Sequence, residues 1–323
     1  MPIRPRLGVD ATSDVPGGKG IARVQRHTVA ALEALGREEL VVFRRRIRPS
    51  LVWEQAVPLA YRRHRLDAFL TWSERLPLAG GGRYLVWLFE PPTHRIETNR
   101  ATAAGAYQHA ADLATQALWR RSLRRAAIVF TGSSATRDSL DVEARTLYPG
   151  LDARFTPGVC GSEPQTPPYV LYIGSRDPRE DTDAALRAFA EVDVEVRVAG
   201  GWLGPPQPRV TYLGRVSDPE LVELYRGAAA YVDTSRYEGF GFQVLEAMGC
   251  GTPVLATGGT SIPEIVGDAG IVCAPDELGS QLRRVLEDAS LAGALRAKGV
   301  ARAAEFSWDG VARTIADAVD ELL

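Results

Sequence analysis

Arg236-Tyr237-Glu238-Gly239-Phe240-Gly241-Phe242-Gln243-Val244-Leu245-Glu246-Ala247-Met248-Gly249-Cys250-Gly251-Thr252-Pro253-Val254 is the stretch on which the reading of this chain turns. A Gly-Phe-Gly turn stands directly before a run with helical spacing. Glu238 precedes the turn, and Glu246 lies two helical turns beyond it. Gly239 and Gly241 lack Cβ atoms, so the chain can bend sharply there and bring its N–H groups up to a ligand, to which the positive end of the following helix adds. A carboxylate accepts several hydroxyl hydrogen bonds, which is what gripping a vicinal diol requires. Phosphate and a polyhydroxylated ligand both suit such a spot. The alternative on these residues alone is that both glutamates are solvated and the glycines only connect a strand to a helix.

Outward from this stretch, strand-like and helix-like segments alternate along the whole chain, the pattern of α/β proteins with doubly wound parallel sheets. In the first half, Leu7 to Asp10, Leu40 to Phe43, Ala68 to Trp72, Tyr84 to Phe89 and Ala127 to Thr131 read as buried strands, and 20–35, 52–64, 99–124 and 134–140 fit helices. A second series starts at Tyr169 and continues through Glu195 to Ala199, Arg209 to Leu213, Ala230 to Thr234, Pro253 to Ala256 and Gly270 to Cys273. Between the series, the segment Tyr148 to Pro157 and the Gly- and Pro-rich stretch that follows it to Pro168 read as a linker. A chain of 323 residues exceeds what one core usually serves. The expected division is therefore 1–157, 158–305 and a closing helix over 306–323.

Composition bounds the function. Hydrophobic residues make up 45% and charged residues 24%, as in ordinary globular proteins, and no run of about 18 apolar residues is present to span a membrane. The N-terminus enters its first strand without an apolar signal core, and three unpatterned cysteines, Cys160, Cys250 and Cys273, suit a reduced compartment. A cytoplasmic protein is expected. The net charge of −2 hides an asymmetry: residues 1–157 hold 24 Arg+Lys against 15 Asp+Glu (+9), and residues 158–323 hold 14 against 25 (−11). The cations gather at 44–48, 62–65 and 120–125. They either dock an anionic membrane surface or anionic acceptor, or simply reflect arginine as the default surface cation of a chain with two lysines. Nucleic acid is not expected, because these arginines are not interleaved with aromatic side chains.

The stretch from Glu238 to Glu246, together with Leu224-Tyr225-Arg226-Gly227-Ala228, the run Ala247 to Val254 and Pro263-Glu264-Ile265-Val266-Gly267-Asp268-Ala269-Gly270, resembles the donor-site signature of retaining glycosyltransferases of family 4, the glycosyl transferases group 1. The resemblance implies a GT-B fold, with two doubly wound Rossmann-like domains facing across a cleft. It also implies an N-terminal domain that binds the acceptor, a C-terminal domain that binds the donor, and a last helix that crosses back to the first domain. The Pro149-Gly150-Leu151-Asp152 run resembles the family's interdomain Pro-Gly-Val-Asp.

Ligands of open α/β sheets bind beyond the carboxyl ends of the strands, so four strand-to-helix loops carry the remaining candidates. The first, Val15 to Arg23, resembles the family's Gly-Ile-Gly-Arg segment with Ala22 in place of the second glycine. It offers Gly20 to the donor and Lys19 and Arg23 to the acceptor or sugar. The second runs from Tyr172 through Gly174 to Asp181. The family's Arg-Lys pair, which holds the donor diphosphate, is represented by Arg179 followed by Glu180, so Arg176 or Lys19 is left to supply the second positive charge. A carboxylate beside a diphosphate repels it by about 1 to 4 kcal/mol at 4 Å, and either Glu180 points away or catalysis is weak. Asp181-Thr182-Asp183 fits a helix cap better than a metal site. The third loop, Trp87 to His94, has Phe89-Glu90 where the family places His-Asp, which leaves Glu90 and His94 as sugar or acceptor contacts. In the fourth, Leu213 to Glu220, Val216 faces the nucleobase by resemblance, and Asp218 and Pro219 read as N-cap and first helical residue.

The resulting expectation is a retaining hexosyltransferase. Glu238, Arg179 and Arg176 are the catalytic candidates. Gly20, Gly174, Val216, Gly239, Phe240, Gly241, Phe242 and Glu246 bind the donor, and Lys19, Arg23, Glu90 and His94 meet sugar or acceptor. No metal and no cofactor are expected; the partners are a nucleoside diphosphate sugar and a glycan, lipid-linked or small-molecule acceptor. No side chain presents itself as a covalent nucleophile, so the resemblance implies attack from the leaving-group face. Glu180 and Phe89 keep open a nucleotide-sugar-binding protein with weak or no transfer. A phosphorylase using pyridoxal phosphate would need a Schiff-base lysine, and neither Lys19 nor Lys298 is placed for one.

Overall fold

The computed structural model of the chain describes residues 4–14, 18, 20–44, 50–77, 79–91, 119–158, 167–174, 179–201 and 207–323. Two compact units emerge, one formed by residues 1–150 with 307–323 and the other by residues 151–306.

In the first unit, β1 (Arg6–Asp10), β2 (Glu39–Phe43), β3 (Ala68–Thr71), β4 (Tyr84–Leu88), β5 (Ile128–Thr131) and β6 (Arg145–Thr146) form one parallel sheet in the order β2-β1-β3-β4-β5-β6. A parallel sheet covered on both faces needs strands that are apolar throughout, and β4, Tyr-Leu-Val-Trp-Leu, is buried at every position. Phe69, Trp53, Trp119 and Leu123 share a buried cluster with its Val86. The helix Ile21–Leu35 buries Val24, Thr28, Ala31 and Leu32 along one stripe and stops at Gly36, whose φ of 65° lets its N–H bond back to Leu32 O. The terminal helix Trp308–Glu321 lies against it. Ser307 caps this helix, Val311, Ile315 and Val319 form its buried face, His27 stacks on Trp308 at 5.1 Å, and Arg37 bonds Asp317 at 2.6 Å. At the sheet edge Arg145 pairs with Glu321 at 2.7 Å.

The second unit repeats the plan with β7 (Tyr169–Gly174), β8 (Glu195–Gly200), β9 (Val210–Gly214), β10 (Ala230–Asp233), β11 (Val254–Ala256) and β12 (Ile271–Val272), parallel in the order β12-β11-β10-β7-β8-β9. From β7 the chain steps outward through β8 to β9, then returns to the other side of β7 and steps outward again through β10, β11 and β12. The reversal makes β7 and β10 neighbours whose connections leave in opposite directions, so a crevice opens at their carboxyl ends. Val170, Tyr172, Phe189, Val198, Val232, Leu282 and Leu295 build the core beneath it.

Some local expectations shift. The stretch 151–157, assigned above to the first domain, belongs to the second unit, because Leu151 N donates to Phe306 O at 2.9 Å and fully buried Phe155 packs on Tyr225 with ring centroids 6.1 Å apart. The helix over 134–140 shortens to Ser134–Asp138, capped by Ser133. Strand β6 has two residues, too few to show a period. Most of the helix expected over 99–124, the cationic run 45–48 and Cys160 fall outside the described residues.

Candidate functional site

The loops that follow β7 and β10 meet over the crevice of the second unit. Asp181 N donates to Thr234 O at 2.9 Å, Arg236 N donates to Arg179 O at 2.7 Å, and Glu180 bridges to Ser235 in antiparallel fashion. These bonds stitch Arg179, Glu180 and Asp181 to the segment leading into Glu238. Asp181 then caps the helix Thr182–Ala190, accepting from Ala184 N at 3.1 Å, and also pairs with Arg236 at 3.0 Å. Among the described residues, no group of His, Cys, Asp and Glu is placed to hold a metal ion.

Glu238 is anchored through its backbone by the loop after β11. Its N–H donates to Thr260 Oγ1 at 3.0 Å, and its carbonyl accepts from Ser261 Oγ at 2.8 Å. Gly259 makes this approach feasible, since a Cβ there would stand 2.3 Å from Ser235 O. The carboxyl group of Glu238 accepts from Ser235 Oγ at 3.3 Å. Dehydration, then the negative charge of Asp233, push its pKa up to about 8, against the pull of Arg179; Glu180 adds to the upward push. Glu180 thus stands among the charges that act on Glu238.

Of the two glycines in the turn, Gly241 is the one held at positive φ (97°), where it precedes the helix Phe242–Gly249. A Cβ on Gly241 would come within 2.7 Å of Ile262 Cδ1. Phe240 is 2% exposed and packs edge-on to Phe242 (centroids 4.9 Å apart) and Phe306 (5.9 Å), which pins the turn to the core. The amides at the start of the helix carry its positive end, and Glu246, one face further along, is buried at 4% exposure. The arrangement combines helix-terminal amides, a guanidinium and two acidic side chains on one unit. It can hold an anion and order hydroxyl groups.

Residues 167–288, most of the second unit, match the model of the family described as Glycosyl transferases group 1. Over 162 residues the chain is 37% identical to O-antigen chain mannosyltransferase B of Escherichia coli, an alignment covering 44% of this chain and 42% of that one. The chain thus spans under half the length of this curated relative. Among solved structures, sucrose-phosphate synthase of Thermosynechococcus elongatus superposes with a TM-score of 0.77 at 17% identity, covering 99% of each chain. The fold is GT-B. Anabaena HepE in complex with UDP-glucose also superposes on this GT-B chain, with a TM-score of 0.67 at 16% identity over 98% of this chain and 99% of that one.

Within the GT-B chain, the sequence candidates of the second unit divide by position. Arg179, Glu238, Gly239, Phe240, Gly241 and Phe242 gather at the β7–β10 crevice, where Gly174 ends β7. Val216 lies in the turn after β9, beyond β8, and is half-buried. The cap of the next helix is a correction. Ser217, not Asp218, accepts from Glu220 N, and Ser217 N in turn donates to the Glu220 carboxylate at 2.7 Å, a full capping box. Asp218 is already helical and pairs with Arg154 at 3.1 Å. In the first unit, Gly20 is the N-cap of Ile21–Leu35 (φ 59°), while Arg23 and Glu90 are half-buried. Phe89 packs on Trp87 at 5.3 Å and its carbonyl accepts from Thr136 Oγ1. Lys19, His94 and Arg176 lie outside the described residues.

Sequence reasoning missed four contributors to the crevice. Asp233 ends β10 with 3% exposure, Ser235 reaches the Glu238 carboxyl, and Thr260 with Ser261 fastens the Glu238 backbone. A carboxylate closing the otherwise apolar strand Ala230-Tyr231-Val232 was the available signal for the first of them.

Proposed function

We propose that the protein is a retaining, metal-independent hexosyltransferase that takes a hexose from a nucleoside diphosphate sugar, held by its second unit, and passes it to an acceptor held by its first. The observation that supports this reading most directly is the meeting of Arg179, Glu238 and the amide-bearing start of Phe242–Gly249 at the β7–β10 crevice. In this reading Glu246 takes the ribose hydroxyls, and Gly174 and Val216 border the nucleotide. Glu238 with the amides of Phe240, Gly241 and Phe242 orients the hexose, and Arg179, with Arg176, offsets the charge that develops on the departing diphosphate. Stabilising charge at the leaving group is often the dominant contribution to transfer. Gly20 is assigned to the donor, and Lys19, Arg23, Glu90 and His94 to the sugar or acceptor. The O-antigen mannosyltransferase relative and the UDP-glucose bound in the HepE structure make GDP-mannose and UDP-glucose the first donors to try.

A thermal-shift screen of nucleoside diphosphate hexoses tests the reading. A donor at 100 times its dissociation constant adds about 2.7 kcal/mol and raises the melting temperature by several degrees, whereas matched sugar phosphates without the nucleoside do not. A screen in which no nucleotide sugar shifts the transition would refute the donor site.

We also assign the protein a peripheral place on an anionic membrane. Arg62, Arg63, Arg65, Arg83, Arg121 and Arg124 are exposed and form no ion pair among the described residues. All six lie where the chain enters β3, β4 or β5, three adjacent strands, and so share the amino-terminal rim of the first sheet. Leu59, 70% exposed, stands one helical turn before Arg62 and Arg63. No described helix is long and apolar enough to cross a membrane. The expected result is sedimentation with vesicles containing phosphatidylserine at low salt but not with neutral vesicles, lost in a triple Arg62→Glu, Arg63→Glu, Arg124→Glu variant. Equal sedimentation of that variant would remove the rim as the contact.

A further inference from the structure

β10 ends on a carboxylate that none of the roles above uses. Asp233 is almost fully buried, and no described Arg or Lys forms an ion pair with it. Its Oδ1 accepts the Ser235 N–H at 2.9 Å and its Oδ2 the Tyr231 hydroxyl at 3.1 Å. These bonds shape the turn from which Ser235 Oγ reaches Glu238 Oε1 at 3.3 Å.

The other groups around Glu238 come from the elements packed against it. The segment after β7 contributes Arg179 and Glu180. The loop after β11 brings the hydroxyls of Thr260 and Ser261, both engaged by the Glu238 backbone. Arg236, close in the chain, is turned to Asp181. Among the described residues, the charges of two carboxylates thus act on Glu238 against that of one guanidinium.

We propose that Asp233 is a positioning residue of this site, which fixes the Ser235 turn and by its own charge keeps a proton on Glu238, so that Glu238 meets the donor hexose as a neutral acid. The inference rests on the reading of Glu238 as the residue that orients the hexose. With Ser235 Oγ on Oε1, the proton sits on Oε2, and Glu238 donates one hydrogen bond to a sugar hydroxyl while accepting others. A neutral Glu238 also removes one of the negative charges that a diphosphate beside Arg179 would have to face, which is the difficulty that Glu180 creates. The Glu238 carboxyl, pushed up to about 8 first by dehydration and then by Asp233, is in keeping with this.

A carboxyl carbon-13 NMR titration of the full chain without donor reads the hold on the proton, with Glu238→Gln assigning the resonance. Glu238 is expected to ionise near pH 8 in the unaltered protein, at lower pH in Asp233→Asn, and at higher pH in Ser235→Ala, because the Ser235 hydrogen bond favours the ionised form. Asparagine can still accept from Ser235 N–H and donate to the Tyr231 oxygen, so the turn is kept. General loosening of the loop does not move a titration in opposite directions.

Calorimetry with GDP-mannose and UDP-glucose in two buffers of different ionisation heat then counts protons. At pH 7.5 the unaltered protein takes up little, Asp233→Asn takes up more protons per bound nucleotide sugar, and Glu238→Gln, which donates and accepts as the neutral acid does, binds with no uptake at any pH. Above the titration, donor affinity falls about tenfold per pH unit, and this limb starts earlier in Asp233→Asn. An unmoved titration in Asp233→Asn, or release of a proton on binding, overturns the proposal. If neither nucleotide sugar gives a binding signal, the donor-site reading falls and takes the hexose role with it, while the free-protein titration still decides whether Asp233 holds the proton.

Discussion

Glu238→Ala is expected to lower kcat/KM for hexose transfer by about two to three orders of magnitude while leaving the melting temperature at or above that of the unaltered protein. The size follows from removing a group aimed at the reacting sugar, for which losses of this order are typical of single preorganised contacts. The sign on stability follows from the surroundings. The one side-chain bond that the Glu238 carboxyl receives among those described above is the 3.3 Å contact from Ser235, and it sits near Asp233 and Glu180. Truncating it removes a half-buried acidic group that stands among other acids and leaves the backbone bonds to Thr260 and Ser261 untouched. Activity traded against stability is the mark of a functional site. Transfer within threefold of the unaltered protein would place the chemistry elsewhere. A protein that binds nucleotide sugars without transferring them would show no transfer in either form, so the same assay separates the two readings.

How far the chain could be read in advance depended on how local each feature is. Glu238, the turn at Gly241 and Glu246 share one short stretch, so their spacing alone brought them together. The apolar runs of β4 and β7 are legible because a doubly covered parallel strand has no polar face to confuse the pattern. Asp233 was not legible as a partner of Glu238, close as the two are in the chain, because the turn that carries Ser235 between them is held where β7 and β10 lie side by side and the segments that follow them bond to each other. The same adjacency decides Glu180. Its charge conflict was visible in sequence, but its position next to Ser235 comes from the bond between Asp181 N and Thr234 O. The Ser217 cap was within reach, since Ser-Asp-Pro-Glu spells a capping box, yet Asp218 is an equally good cap by residue type and only the backbone geometry separates them. At β6, Arg145 and Thr146 offer two residues and no period, and tertiary pairing with β5 alone makes them a strand.

Phe240→Ala should produce the opposite profile, a large loss of stability that also disorders the site. Phe240 sits between the two glycines of the turn, buried to 2% exposure, edge-on to Phe242 and Phe306. Removing a buried phenyl ring costs about 3 to 5 kcal/mol, the sum of lost transfer energy and the cavity left behind. A domain holds only about 5 to 15 kcal/mol in all, so a fall in melting temperature of roughly 10 °C is expected. The neighbours cannot close the gap cheaply. Gly241 is fixed at φ 97° with Ile262 against it, and Phe306 belongs to the segment whose carbonyl bonds Leu151 N. With the ring gone, the turn loses the contact that sets the start of Phe242–Gly249, and donor binding should weaken even below the transition temperature. Phe240→Leu fills most of the volume without the edge-on geometry and should recover more than half of the lost stability. A melting temperature for Phe240→Ala within 2 °C of the unaltered protein would mean that the turn is held by its backbone alone, and that the aromatic cluster is incidental to the site.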